Sequence, residues 1–210
     1  MHIKTISAVA AIAMAVGWMA PASAQSPAKQ LGKVNFSTSC KPAAQKVFDR
    51  AMLYQHSFWY SASKRTFEEV LQADPNCAIA YWGIGISLLN NPFSPPPAAN
   101  LVEGQAAIAK GKAMGAKTQR ERDLIDAIGA FYLDYDKIDH RTRVQSYMKA
   151  MEGVATRYPK DDEAQIYYAL ALVVAASPAD KTFANQLKAG GILEAIAKRK
   201  PQHPGVVHYL

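Results

Sequence analysis

Cysteine is almost absent from this chain, two residues in 210, and neither belongs to a C-x2-C pair. Thiolate-rich zinc and iron–sulfur sites, which gather several such ligands at short spacing, are thereby excluded. At most one disulfide can form, between Cys40 and Cys77. Histidine is scarce too. Beyond residue 24 it stands only at His56, His140, His203 and His208, with no H-x3-H or H-E-x2-H spacing. No metal ligand set can be read from that pattern, and no metal or other cofactor is expected. The chain also lacks G-x-S-x-G, a phosphate-cradling glycine loop and a dinucleotide fingerprint. The acidic pairs Asp134 and Asp136, and Asp161 and Asp162, lie in turn regions, where carboxylates cap or solvate helix ends. No catalytic residue is assigned, and the chain is read as a non-enzyme.

Long apolar runs are missing after Gln25. Before it, Lys4, the apolar stretch from Ile6 to Ala20, and small residues at Ala22 and Ala24 read as a secretory signal peptide over residues 1–24, cut between Ala24 and Gln25. That stretch is shorter than the roughly 20 apolar residues a spanning helix needs. The expectation is a periplasmic or secreted protein without stable membrane insertion after cleavage. Without Lys4 the chain keeps 23 basic against 17 acidic residues, a net charge of about +6. Its Lys and Arg are scattered rather than gathered into a stripe, which argues against nucleic acid as a partner.

What is present is helical periodicity. Residues 25–39 are polar and aperiodic, and read as a flexible arm. From Lys41 onward apolar positions recur at intervals of three and four, and no alternating strand pattern appears. Turn chemistry at "DPN", "NNPFSPPP", "MGAK", "YPKDD", "SPAD" and "KPQHPG" divides this region. The breaks predict helices near 41–56, 60–73, 76–90, 99–114, 119–135, 140–157, 162–176 and 180–199. A ninth begins at "GVVHYL". Thr118 followed by Glu121 marks a capping box.

The breakers carry a repeat. Phe67, Met151 and Ile196 each precede a proline by eight residues, namely Pro75, Pro159 and Pro204. Tyr81, Ile84, Gly85 and Leu88 follow Pro75 at the same offsets as Gln165, Tyr168, Ala169 and Leu172 follow Pro159. "YWGIGISL" and "SKRTFEEVLQADP" match the two helices of a tetratricopeptide repeat, with Tyr81 in the tryptophan slot and Ser63 in an alanine slot. With its signal-like N-terminus, "HSFWY" and "DPNCAIAYWGI", the chain resembles exported bacterial tetratricopeptide proteins of undefined activity. The resemblance is closest over residues 44–88. It departs at Tyr147, where a small residue belongs, and in its spacing: Pro75 to Pro159 spans two units of 42 residues instead of the family's usual 34. It implies an all-α, right-handed solenoid of antiparallel helix hairpins over residues 40–210, about four hairpins plus the partial ninth helix. Small residues such as Ala51, Gly85 and Ala169 would allow close helix approach.

Hairpin geometry puts Cys40 at the start of one helix and Cys77 just past the end of its antiparallel partner. A structural disulfide is the leading reading and free thiols the alternative.

Such a solenoid implies recognition of a protein or peptide on its inner face. Arg50, Gln55, Trp82, Ile86, Asn90, Ala164 and Tyr167, which lie between the packing positions, are the partner-binding candidates. Trp82 and Tyr167 have packing against the next hairpin as their alternative. Of the aromatic cluster "LYQHSFWYSASKRTF", Tyr54, Tyr60, Ser63 and Phe67 have repeat positions. His56, Phe58 and Trp59 do not: they either pack under the N-terminal arm or present the edge of a small-ligand or metal-binding site. Leu210 falls inside a repeat's first helix, so an open C-terminal end is expected, either because the chain is a truncated portion of a longer protein or because another chain, including a second copy, covers it.

Overall fold

A computed structural model describes residues 31–210; the signal-peptide reading over 1–24 and the first part of the arm lie outside the described residues. The described chain is all-helical, without strands. Its helices are α1 (Pro42–His56), α2 (Tyr60–Ala73), α3 (Ile79–Leu88), α4 (Ala98–Met114), α5 (Gln119–Tyr132), α6 (His140–Arg157), α7 (Asp162–Ala175), α8 (Ala184–Ala197) and α9 (Pro204–Tyr209). None of the described helices is long and apolar enough to cross a membrane.

Local chemistry explains where the helices begin. Pro42 and Pro204 open α1 and α9, where proline's missing N–H costs nothing. Asp139 accepts the Thr142 N–H at 3.0 Å at the head of α6, and Asp161 accepts the N–H groups of Glu163 and Ala164 at the head of α7. Thr118 caps α5 by accepting the Glu121 N–H at 3.2 Å. The reciprocal half of that capping box is replaced. Glu121, almost fully buried, turns instead to Ser39 and accepts its N–H and its hydroxyl, each at 2.6 Å.

That exchange corrects the reading of residues 31–39 as a loose arm. Phe36 is fully buried, against Phe48 at 5.0 Å and Trp82 at 5.2 Å between ring centroids. Burying one such ring is worth about 1.5–3 kcal/mol. Thr38 donates to Gln45, and the Lys33 N–H donates to the Gln202 carbonyl at 2.9 Å. A polar segment without periodicity is thus held by one aromatic anchor and by scattered hydrogen bonds that leave no sequence pattern.

Each helix packs on the next in sequence, and α3 also touches α1 and α5. The small residues foreseen at the interfaces, Ala51, Gly85 and Ala169, are all buried. At Gly83 a Cβ would lie 2.4 Å from the Phe67 ring, so α2 and α3 meet at this separation only because no side chain intervenes. The end of the chain departs from expectation: α9 is not left without partners but packs on α8, α7 and α1, with Val206 fully buried. The last helix therefore meets the first. Val207 and Leu210 keep most of their surface exposed.

Cys40 and Cys77 sit at disulfide distance, Cα atoms 5.0 Å apart. Beside them the buried Asp74 carboxylate accepts the Lys41 N–H at 2.9 Å and the Asn76 N–H at 3.2 Å, so both strands of this corner hang on one side chain. The Lys41 N–H, opposed by burial and joined by the Asn76 N–H, holds the Asp74 carboxyl below its usual range.

Two outcomes follow at this corner. Crosslinking residues 37 apart restricts the unfolded chain, so the double variant C40A/C77A should lose about 3–4 kcal/mol in urea unfolding, and a reductant should remove its difference from the wild type. Asp74 has a lowered folded pKa, so its stabilisation is present above the unfolded carboxylate value of about 3.9 and is lost as pH falls below it. D74N should therefore flatten the acid limb of a stability–pH profile between about pH 5 and 2, and lower stability at neutral pH by roughly 1–2 kcal/mol.

Candidate functional site

His56 is the last residue of α1, Glu163 stands in the first turn of α7, and His203 is the residue before α9. The three side chains are between 0% and 2% exposed. His56 Nε2 lies 3.0 Å from Glu163 Oε2, and His203 Nε2 lies 2.8 Å from Glu163 Oε1, so one carboxylate bridges two imidazoles. Tyr209 Oη reaches His56 Nδ1 at 3.1 Å, and the Val206 N–H points to His203 Nδ1 at 3.4 Å. Neutral rings with the proton on Nε2 satisfy every one of these atoms: each Nε2–H donates to Glu163, and each Nδ1 accepts.

The electrostatics follow from burial. Burial alone would raise the Glu163 carboxyl, but the attraction of His56 and the hydrogen bonds from His203 and His56 outweigh it and hold the group ionised. Burial pushes the His56 imidazole down, against the pull of the same carboxylate. Helix geometry assists, since a carboxylate in a first turn faces the positive end of the helix dipole. Around this core, His208 Nδ1 meets the His56 carbonyl at 2.9 Å, serving an acceptor that α1 leaves open at its C-terminus.

A cleft adjoins the cluster. It is lined by Gln55, Tyr60, Ile86, Tyr147, Tyr167 and Tyr209, with His140, Val174 and the loop after α3 completing its walls. Its cavity volume is about 50 Å³, room for roughly three to five water centres. Gln55 Oε1 is already engaged by the hydroxyls of Ser63 at 3.0 Å and Ser87 at 2.8 Å. The buried hydroxyls of Tyr147 and Tyr167, and the buried His140 Nδ1, have no partner among the described residues. Orphaned buried polar atoms are uncommon, and here three of them line one space. Burial raises the phenols of Tyr147 and Tyr167, and moves Tyr60 up to about 12, so all remain protonated donors at neutral pH.

With this geometry in view, comparison with family models, with characterised proteins and with solved structures gives no match to the chain.

The partner-binding candidates separate in space. Gln55, Ile86, Asn90 and Tyr167 do converge, but on the cleft rather than on an open groove. Trp82 is fully buried, edge-on to Tyr167 at 5.1 Å, and Ala164 is fully buried too, which removes both from any free surface. Arg50 stands apart, paired with Glu69. In the second cluster, His56 lies at the centre of the buried triad. Phe58, at φ 64° and 45% exposed, stacks on His208 at 5.1 Å, and the half-exposed Trp59 stacks on Tyr54 at 5.6 Å. Among the described residues, His208 and Tyr209 of α9 pack against Phe58, at 5.1 and 5.9 Å between ring centroids.

Glu163 and His203 were missed because 107 and 40 residues of sequence separate the bonded partners. One signal was available. Glu163 follows Pro159 at the offset at which Ile79 follows Pro75, and Ile79 is fully buried, so the repeat register itself placed a carboxylate at a core position.

Gly205 gives a test of the cluster's tightness. A Cβ on this residue would lie 2.5 Å from His56 Nδ1. G205A should therefore displace the ring or α9 and cost about 1–3 kcal/mol. Thermal unfolding checks this, and G153A, where a Cβ meets nothing within 4 Å, serves as the control.

Proposed function

We propose that the chain is an exported helical-repeat binding module of the tetratricopeptide type, a right-handed stack of antiparallel hairpins that binds a small molecule in its interior cleft and performs no chemistry of its own. Support for the repeat comes from the buried small residues at the offsets that define it and from the succession of neighbouring helix contacts. Support for export comes from the signal-like first 24 residues and from a cysteine pair at disulfide distance, an arrangement suited to an oxidising compartment.

One observation carries the small-ligand reading. The buried hydroxyls of Tyr147 and Tyr167 share a mostly apolar cleft and have no acceptor among the described residues. A ligand with an apolar body and a carbonyl or carboxylate oxygen would satisfy them. An extended peptide needs a long accessible groove, and of the side chains expected to line one, Gln55, Trp82, Ile86, Ala164 and Tyr167 are buried. The scaffold reading retains the exposed Phe183 and Leu187, which flank the start of α8 and offer apolar surface to a protein partner.

Native mass spectrometry on protein exported without an affinity tag separates these readings. The small-ligand reading expects a bound small molecule, lost in V174W, where a large ring at a half-buried wall position fills the cleft. Y167F should keep full thermal stability, or gain up to about 1 kcal/mol, because it deletes an unpaired buried hydroxyl, yet it should bind the molecule less tightly. A stoichiometric protein partner with no small molecule bound would count for the scaffold instead.

A further inference from the structure

The triad of His56, Glu163 and His203 has a property that its hydrogen bonds do not exhaust. Two imidazole nitrogens and a carboxylate converge from three separate elements, and one donor atom from each lies within 4.8 Å of the others. A metal held at about 2.0–2.2 Å by nitrogen and oxygen donors sets them roughly 3.3–3.5 Å apart. The present separations of 3.0 and 2.8 Å from the two Nε2 atoms to Oε2 and Oε1 of the carboxylate are shorter than that by roughly 0.3–0.7 Å.

Charge points the same way. Basic side chains at the head of α7 pair with the two residues before Glu163: Arg199 and Lys200 with Asp162, and Arg120 with Asp161. Among the described residues the Glu163 carboxylate has the two histidines alone as side-chain partners, so with neutral rings a full negative charge stays inside the protein. A dication removes that imbalance. We infer that His56 Nε2, His203 Nε2 and the Glu163 carboxylate form a binding site for one divalent metal ion of the zinc type. Two imidazoles with a single carboxylate suit this class, whereas calcium and magnesium ask for mainly oxygen ligands in larger number.

The protons balance. Each Nε2 gives up its hydrogen to expose a lone pair, and each Nδ1 takes one up, so both rings stay neutral and none is released overall. His56 Nδ1–H then donates to Tyr209 Oη, which fixes ring orientation as metal-bound histidines require. At His203, the Val206 N–H gives up its long contact with Nδ1 and keeps its 3.1 Å bond to the His203 carbonyl. The site is distinct from the small-molecule cleft, and neither reading requires the other.

The test uses the exported chain without a histidine tag, stripped with a chelator and titrated with Zn²⁺ against a chromophoric competitor. One equivalent should bind, and X-ray absorption at the zinc edge should show two imidazoles with oxygen completing the shell. E163Q and H203N should each weaken binding on the order of 100-fold or more, while E194Q, which alters an exposed carboxylate outside the triad and the cleft, should not. Failure of the wild type to bind Zn²⁺ stoichiometrically would overturn the inference. An absorption spectrum without imidazole scattering, or binding unchanged in both E163Q and H203N, would do the same. If the variants do not fold, the wild-type stoichiometry and spectrum decide alone. Retention or loss of a small organic molecule in the cleft has no bearing on these outcomes.

Discussion

A carboxylate taken out of water among packed helices costs several kcal/mol unless its oxygens are satisfied in good geometry. Glu163 is such a group, and its partners arrive from the end of α1 and from the turn before α9. Three elements distant in sequence must therefore be in register before any one of them is comfortable. The packing of α9 on α1 and the absence of a side chain at Gly205 are both conditions of this one arrangement. So is the His208 contact that closes the last turn of α1. Apolar burial supplies most of the stabilisation of the helical pack, but it is non-directional. The bridged carboxylate is directional, and it selects the one placement of α9 that satisfies it.

The cleft inherits its shape from the same arrangement. Tyr209 bonds His56 with its hydroxyl and also lines the cleft, while the Tyr167 ring packs 5.2 Å from the His56 ring and forms another wall. A shift of the triad is therefore a shift of two walls. Charge in the triad is also felt at the cleft: Tyr209 and Glu163 both push the Tyr167 phenol further up, after burial. The two sites are chemically different, yet they are mechanically joined through two tyrosines.

Helix positions were readable from sequence to within a few residues because proline, glycine and aspartate turns act locally. The Cys40–Cys77 pairing was readable because two helix ends of one hairpin are neighbours whatever the rest of the chain does. Phe36 was not, because a lone aromatic in a polar segment carries no period and only the Phe48 and Trp82 rings give it a place. Nor was the triad, since hydrogen bonding between residues 56, 163 and 203 leaves no spacing to find. Two departures from the repeat were visible without their meaning. Tyr147, at a position that calls for a small residue, is a wall of the cleft, and Glu163, at a position that calls for an apolar one, is the buried charge.

Beside those departures, the side chains expected on an open groove do not share one free surface. In a shallow repeat stack the inner-face aromatics would look into solvent, and Trp82 and Tyr167 would be available to a peptide. Here they meet edge to face, and α9 approaches α1 closely enough for Tyr209 to touch His56. What remains between them is narrow, rimmed by phenols and partly closed by the proline-rich loop after α3. In the proposed binding role, a space of that size would discriminate by the one or two polar atoms it can satisfy, because a chain of several residues would have to displace the packing that makes the space exist. Selectivity would then reside in the hydroxyls of Tyr147 and Tyr167, and the apolar wall would set only how large the remainder of the ligand can be.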